Sequence, residues 1–146
     1  ELLVMWKREY EVSMGTIIAY HINGKTAVPA YTIAEDEKDL DCGYAERLMH
    51  VADADNDGKN ELIVSTRGEG WPANGNRLGH VLMFKVGGAG KVEKTLLAKF
   101  KTGVADSSWS AVGDADNDGK KEIVLATGKG DRTKPGTSYV VLIRKE

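Results

Sequence analysis

The sequence predicts an all-β fold assembled from a repeated unit of four short antiparallel strands. Residues 50–66 (HVADADNDGKNELIVST) and 111–127 (AVGDADNDGKKEIVLAT) align without a gap at an offset of 61, and DADNDGK is identical in both. Each copy of that heptapeptide runs into an apolar segment, ELIVSTR at 61–67 and EIVLATG at 122–128. Gly is abundant at 17 residues and Pro scarce at 3, which suits strands joined by Gly turns better than a disordered linker. Helical periodicity is weak; only Glu35–Leu40 hints at a helical turn, and it is too short to stand alone.

The unit reads in a fixed order. Strand 1 covers 47–52 and 108–113, and an acidic loop follows at Asp53–Glu61 and Asp114–Glu122. Strand 2 begins at the last loop position. The opening ELLVMWKR matches it, with Glu1 falling 60 residues before Glu61, so Glu1 is expected to close an acidic loop whose other residues lie upstream. A variable loop then leads to strand 3, at GTIIAYHI (15–22), GHVLMFKV (79–86) and GTSYVVLI (136–143). Tight turns follow at Asn23-Gly24-Lys25 and Gly87–Gly90, both hairpin signals. Strand 4 is TAVPAYTIA (26–34) and VEKTLLAKF (92–100).

Residues 1–34 therefore hold strands 2–4 of one unit, 47–100 a complete unit, and 108–146 strands 1–3 of a third. Roughly two and a half units of about 60 residues are present. Four-stranded antiparallel units arranged radially make a β-propeller, in which each sheet stacks on its neighbours. Closure takes about 4–8 such units, so further blades or further copies of the chain are expected as partners.

Bulk composition removes several classes of function. The net charge is −2, and the 20 Lys and Arg residues are spread along the chain, so no nucleic-acid face is expected. No apolar run reaches the 18 or so residues that span a bilayer. Cys42 is the only cysteine, which rules out an internal disulfide and a cysteine-based zinc site. His21, His50 and His80 are isolated in strand segments, and no catalytic constellation is visible.

The acidic loops carry the chemistry. Counting from Asp53, carboxylates stand at position 1, 3 (Asp55), 5 (Asp57) and 9 (Glu61); the second loop repeats them as Asp114, Asp116, Asp118 and Glu122. Alternating carboxylates on a curling backbone point towards one centre. Gly58 and Gly119 at position 6 permit a sharp left-handed bend. The backbone carbonyls of Lys59 and Lys120 at position 7 are candidate additional ligands, with the lysine side chains turned away. Four crowded carboxylates repel one another, and a hard cation with 6–8 oxygen ligands resolves the repulsion. Calcium suits the many, flexibly spaced oxygens better than magnesium, and zinc lacks nitrogen or sulfur donors here. Two calcium ions are expected. An EF-hand is excluded, because its position 12 needs a Glu and holds Val64 or Leu125 instead.

The pattern D-x-D-x-D-G-x-x-[DE] followed by an apolar strand resembles the FG-GAP/VCBS repeat family, as in the calcium blades of integrin α-subunit propellers. Both loops match it at every ligand position; Ser110-Ala111-Val112-Gly113 also matches the usual lead-in, from which Ala52 departs by replacing Gly. The resemblance covers essentially the whole chain. It implies structural calcium, a propeller, and an extracellular or cell-envelope setting where external calcium fills the loops.

In a four-stranded meander the acidic loops share one end of the sheet with the tight turns, and the variable loops Lys7–Met14, Arg67–Leu78 and Gly128–Pro135 gather at the other. Function concentrates on such loops. Trp71 is a candidate stacking platform for a sugar ring or a protein partner, with Arg67, Glu69, Asn74, Asn76 and Arg77 as hydrogen-bonding neighbours. Trp109, on the innermost strand, is expected in the core. Three functions stay open on the sequence: a carbohydrate- or protein-binding scaffold, the propeller of a polysaccharide lyase or related sugar-acting enzyme, and a structural repeat of a surface adhesin or filament.

Overall fold

The computed structural model describes residues 2–5, 16–34, 47–66, 79–100, 109–127 and 139–144. It is all-β, and among the described residues every strand pairing is antiparallel. The first sheet has the order β1 (Leu2–Met5), β2 (Ile17–Asn23), β3 (Thr26–Ala34). The second runs β4 (Arg47–Ala52), β5 (Glu61–Thr66), β6 (Gly79–Val86), β7 (Val92–Phe100). The third contains β8 (Trp109–Gly113), β9 (Glu122–Thr127) and β10 (Tyr139–Ile143), with β9 in the middle. Among the described residues each sheet is an open meander, and none closes on itself.

Turn chemistry sets these registers. Asn23 pairs with Thr26 across a two-residue turn whose first residue, Gly24, has φ +61°, the conformation a tight hairpin demands and L side chains resist. The second turn is longer than the expected Gly87–Gly90. Val86 pairs with Val92, residues 88–90 form a single 3₁₀ turn closed by the Lys91 N–H donating to the Gly88 carbonyl at 3.4 Å, and the Gly87 N–H donates to the Lys91 carbonyl at 2.8 Å across the loop. Pro29 sits in β3, an edge strand, where its missing N–H breaks no ladder. Bulges interrupt β3 opposite Ile17–Tyr20 and β7 opposite Val81–Leu82.

The core lies between sheets. The two-residue alternation of each strand divides the middle sheet into two faces. Leu62, Val64, Leu82 and Phe84 pack against Ile17, Ala19, Ile33 and Ala34 of the first sheet. Ile63, Val81 and Met83 pack against Ile123 and Leu125 of the third. Because both of its faces are covered, β5 is buried from Glu61 through Ser65 and reads as a continuous apolar run rather than an alternating one. The flanking sheets are covered on one side. Ile22 on the first is 53% exposed, and Val140 and Leu142 on the third are 73% and 58% exposed. Among the described residues no helix is long and apolar enough to cross a membrane. Glu1, Trp6, Glu35–Leu40, Cys42 and the segments Lys7–Met14 and Gly128–Pro135 lie outside the described residues, whereas Leu2–Met5 is described and pairs with β2 as a strand-2 segment should.

Candidate metal centres

Each acidic loop bridges two paired strands: Ala52 faces Glu61 at one loop's base, and Gly113 faces Glu122 at the other's. The curl between them is closed by the first aspartate. Asp53 Oδ1 accepts from the Asp57 N–H and Oδ2 from the Gly58 N–H, both at 3.0 Å. Asp114 accepts from the Asp118 and Gly119 N–H groups at 3.1 and 2.9 Å. Asp57 and Asp118 in turn accept from the Lys59 and Lys120 N–H groups, each at 2.9 Å, so the two lysines at position 7 serve the curl through their amides. The final glutamates reach back to the loop start. Glu61 Oε2 accepts from the Ala54 N–H at 3.0 Å and Glu122 Oε2 from the Ala115 N–H at 2.9 Å.

The bend needs two left-handed residues in each loop. Gly58 and Gly119 have φ +86° and +87°, as their position predicts. Asn56 and Asn117 also lie there, at φ +61° and +60°. Asn tolerates that region better than other side chains, so its place at position 4 was the available signal.

This curl gathers carboxylates. In the first loop, ligand oxygens of Asp53, Asp55 and Asp57 lie within 4.8 Å of one another; in the second, those of Asp114, Asp116 and Glu122 do. Both groups can hold a metal ion. Both also hold a basic side chain that the sequence reading missed. Lys85 Nζ lies 2.6 Å from Asp55 Oδ2, 2.6 Å from Asp57 Oδ2 and 3.9 Å from Glu61 Oε1. Arg144 Nη2 lies 2.7 Å from Asp116 Oδ2 and 2.7 Å from Glu122 Oε1, with Nη1 3.1 Å from Asp118 Oδ2 and Nε 3.0 Å from Glu122 Oε1. The two occupy the same place in their units. Phe84 pairs with Leu62 and Ile143 with Ile123, and the basic residue is the next one along. Aligning the ends of the third strands (FKV and IRK) would have revealed it.

The electrostatics follow from these contacts. The hydrogen bond from Lys85, helped by the Lys59 N–H, holds the Asp57 carboxyl below its ordinary range. Burial pushes Glu61 up, opposed by the Ala54 N–H and reinforced by the negative charge of Asp55. Lys85 is raised by Asp55 and Asp57, and Arg144 by Glu122 and Asp116, so both stay cationic.

The loops also touch each other. Asn56 Oδ1 accepts from the Lys121 N–H at 2.8 Å, and its Nδ2 faces the Lys121 carbonyl at 3.4 Å. His50 Nε2 meets Ser110 Oγ at 3.0 Å across the same pair of sheets, which gives that histidine a structural contact. A cavity of about 680 Å³ opens between the first and second sheets, lined in part by His21, Tyr31, Ile33, Val51 and Glu61. No family model, characterised protein or solved structure matches the chain. Arg67, Glu69, Trp71, Asn74, Asn76 and Arg77 lie outside the described residues, and Trp109 is described only as the first residue of β8.

Proposed function

We propose that the two loops bind one calcium ion each, and that the ions are structural, pinning the first two strands of a unit together. The observation that carries this is duplication. Two identical heptapeptides build the same curl, each loop gathers three carboxylates (Asp53, Asp55 and Asp57 in one, Asp114, Asp116 and Glu122 in the other), and each group closes around a side-chain cation. An ammonium and a guanidinium occupying equivalent positions mark where positive charge is favoured. The donors are oxygen throughout, with no sulfur or imidazole among them, which favours a hard cation over zinc. The carboxylates available to each ion exceed the one or two that magnesium ordinarily takes, which favours calcium.

We further propose that the chain is a β-propeller module of FG-GAP/VCBS type, acting outside the cell as a scaffold for a carbohydrate or protein ligand. Three sheets of one topology stacked face to face support the propeller, as do apolar side chains left on the outer faces. Extracellular calcium modules work at weak affinities matched to external calcium.

Titration of the chelated protein with calcium chloride, followed by calorimetry and thermal melting, tests the metal assignment. Two equivalents should bind and raise the melting temperature; saturation at a hundredfold excess over Kd adds roughly 2.7 kcal/mol per site. The double variant Asp55→Ala with Asp116→Ala should show neither effect. A wild-type chain that takes up no calcium rejects the assignment. For the ligand, a glycan array with Trp71→Ala as comparison is the corresponding test, and binding unaltered by the substitution counts against that face.

A further inference from the structure

We propose that Lys85 and Arg144 are tethered competitors of the metal, and that they make two loops with identical heptapeptides fill in order, the Asp53–Glu61 loop first. This rests on the calcium assignment above and adds what controls it.

A divalent ion and the side-chain cation cannot share the carboxylate group. Lys85 Nζ sits within 2.6 Å of Asp55 and Asp57, and the Arg144 guanidinium touches Asp116, Asp118 and Glu122. Metal entry therefore expels the basic side chain, and the cost of expulsion is subtracted from the affinity. That cost differs between the loops. Lys85 gives up two close contacts from one strongly hydrated ammonium on a flexible stem, which water recovers readily. Arg144 gives up a planar fork that places three nitrogens on three carboxylates, with Nε and Nη2 both on Glu122 Oε1. Exposure pushes the same way. The Asp55 side chain is 9% exposed and the Asp116 side chain 54%, so a doubly charged ion gains more in the first loop, where water screens it less.

Without the metal, each basic residue has the opposite value: it neutralises carboxylates that would otherwise repel one another. The loops are thus held closed by an internal cation and remain ready to exchange it for an external one.

The two loops can be watched separately. The Gly58 and Gly119 amides donate to Asp53 and Asp114, so their ¹H–¹⁵N resonances report each loop during a calcium titration of the labelled chain. The Gly58 signal should complete its change at a calcium concentration roughly tenfold below that for Gly119, the worth of about one charge-assisted hydrogen bond. Charge-preserving exchanges supply the decisive arms. Arg144→Lys should tighten the second loop and Lys85→Arg weaken the first, each by about tenfold on the same basis. Lys85→Met should lower the melting temperature in chelator while strengthening calcium binding at the first loop. Simultaneous filling, filling of the second loop first, or midpoints that ignore both exchanges would overturn the proposal. If neither loop binds calcium in any variant, the calcium assignment fails and takes this proposal with it.

Discussion

At the scale of single residues, the loops combine backbone strain with crowded charge. Gly119 holds φ +87°, and a Cβ built there meets nothing within 4 Å, so its substitution is a pure backbone experiment. Gly119→Ala should cost about 1–2 kcal/mol, the left-handed penalty of an L residue, read as a lower urea midpoint with an unchanged slope. The glutamates differ in what opposes their charge. Glu61 is buried, its pKa is raised by desolvation, and the Lys85 ammonium stands 3.9 Å away. A carboxyl with a raised folded-state pKa favours the folded state below its ordinary value of 4.5, and that advantage is lost as pH rises through the raised value. Ionised Glu61 is therefore a burden near neutrality unless a metal relieves it. In chelator, Glu61→Gln should raise the melting temperature at neutral pH, since the amide oxygen still accepts from the Ala54 N–H, and the gain should vanish in acid. Glu122 has the Arg144 guanidinium directly on it at 2.7 Å, and Glu122→Gln should lower the melting temperature instead. Asp57 behaves oppositely to Glu61. Its pKa is lowered, so the stability it contributes is present above its ordinary 3.8 and lost as pH falls through the depressed value. Melts across this pH range, with and without calcium, separate Glu61 from Asp57.

At the scale of elements, identical loops have become unequal by position. Asn56 spans to the backbone of Lys121 in the next loop, whereas Asn117, its counterpart, meets no partner among the described residues. Glycine accepts the same positive φ, so Asn56→Gly removes the bridge without adding strain, and Asn117→Gly is its control. The first should be about 1 kcal/mol less stable than the second by chemical denaturation, the net worth of a hydrogen bond. Equal stabilities would deny the bridge any role in holding the loops side by side. The same inequality explains what could be read in advance. Strand positions and the loop curl were legible because they are local: alternation marks strands, and Asp53, Gly58 and Glu61 act within nine residues. The Asn56 bridge was not, because DADNDGK is the same in both loops and only stacking order distinguishes them. Lys85 and Arg144 were hidden differently. Each lies more than twenty residues beyond its loop, and only the register of the third strand against the second brings it onto the carboxylates.

For the whole molecule, burial follows place in the stack more than identity in the repeat. Val81 and Met83 of the middle sheet are fully buried against the third sheet. Their counterparts by register, Val140 and Leu142, lie on the third sheet's outer face and are mostly exposed. The two faces are chemically alike; only one has a neighbour. A charge introduced at each therefore reads out the stack itself. Met83→Asp buries an uncompensated carboxylate between two sheets and should unfold the chain, because an unpaired buried charge costs several kcal/mol against a total stability of about 5–15 kcal/mol. Leu142→Asp places the same charge in water and should change stability by about 0.5 kcal/mol or less, as surface substitutions ordinarily do. Circular dichroism melts of the two variants decide the matter. A chain that tolerates Met83→Asp does not have its second and third sheets packed through that face. A chain that Leu142→Asp unfolds has its outer face covered in solution, and sedimentation of the wild type should then reveal an assembly larger than one chain.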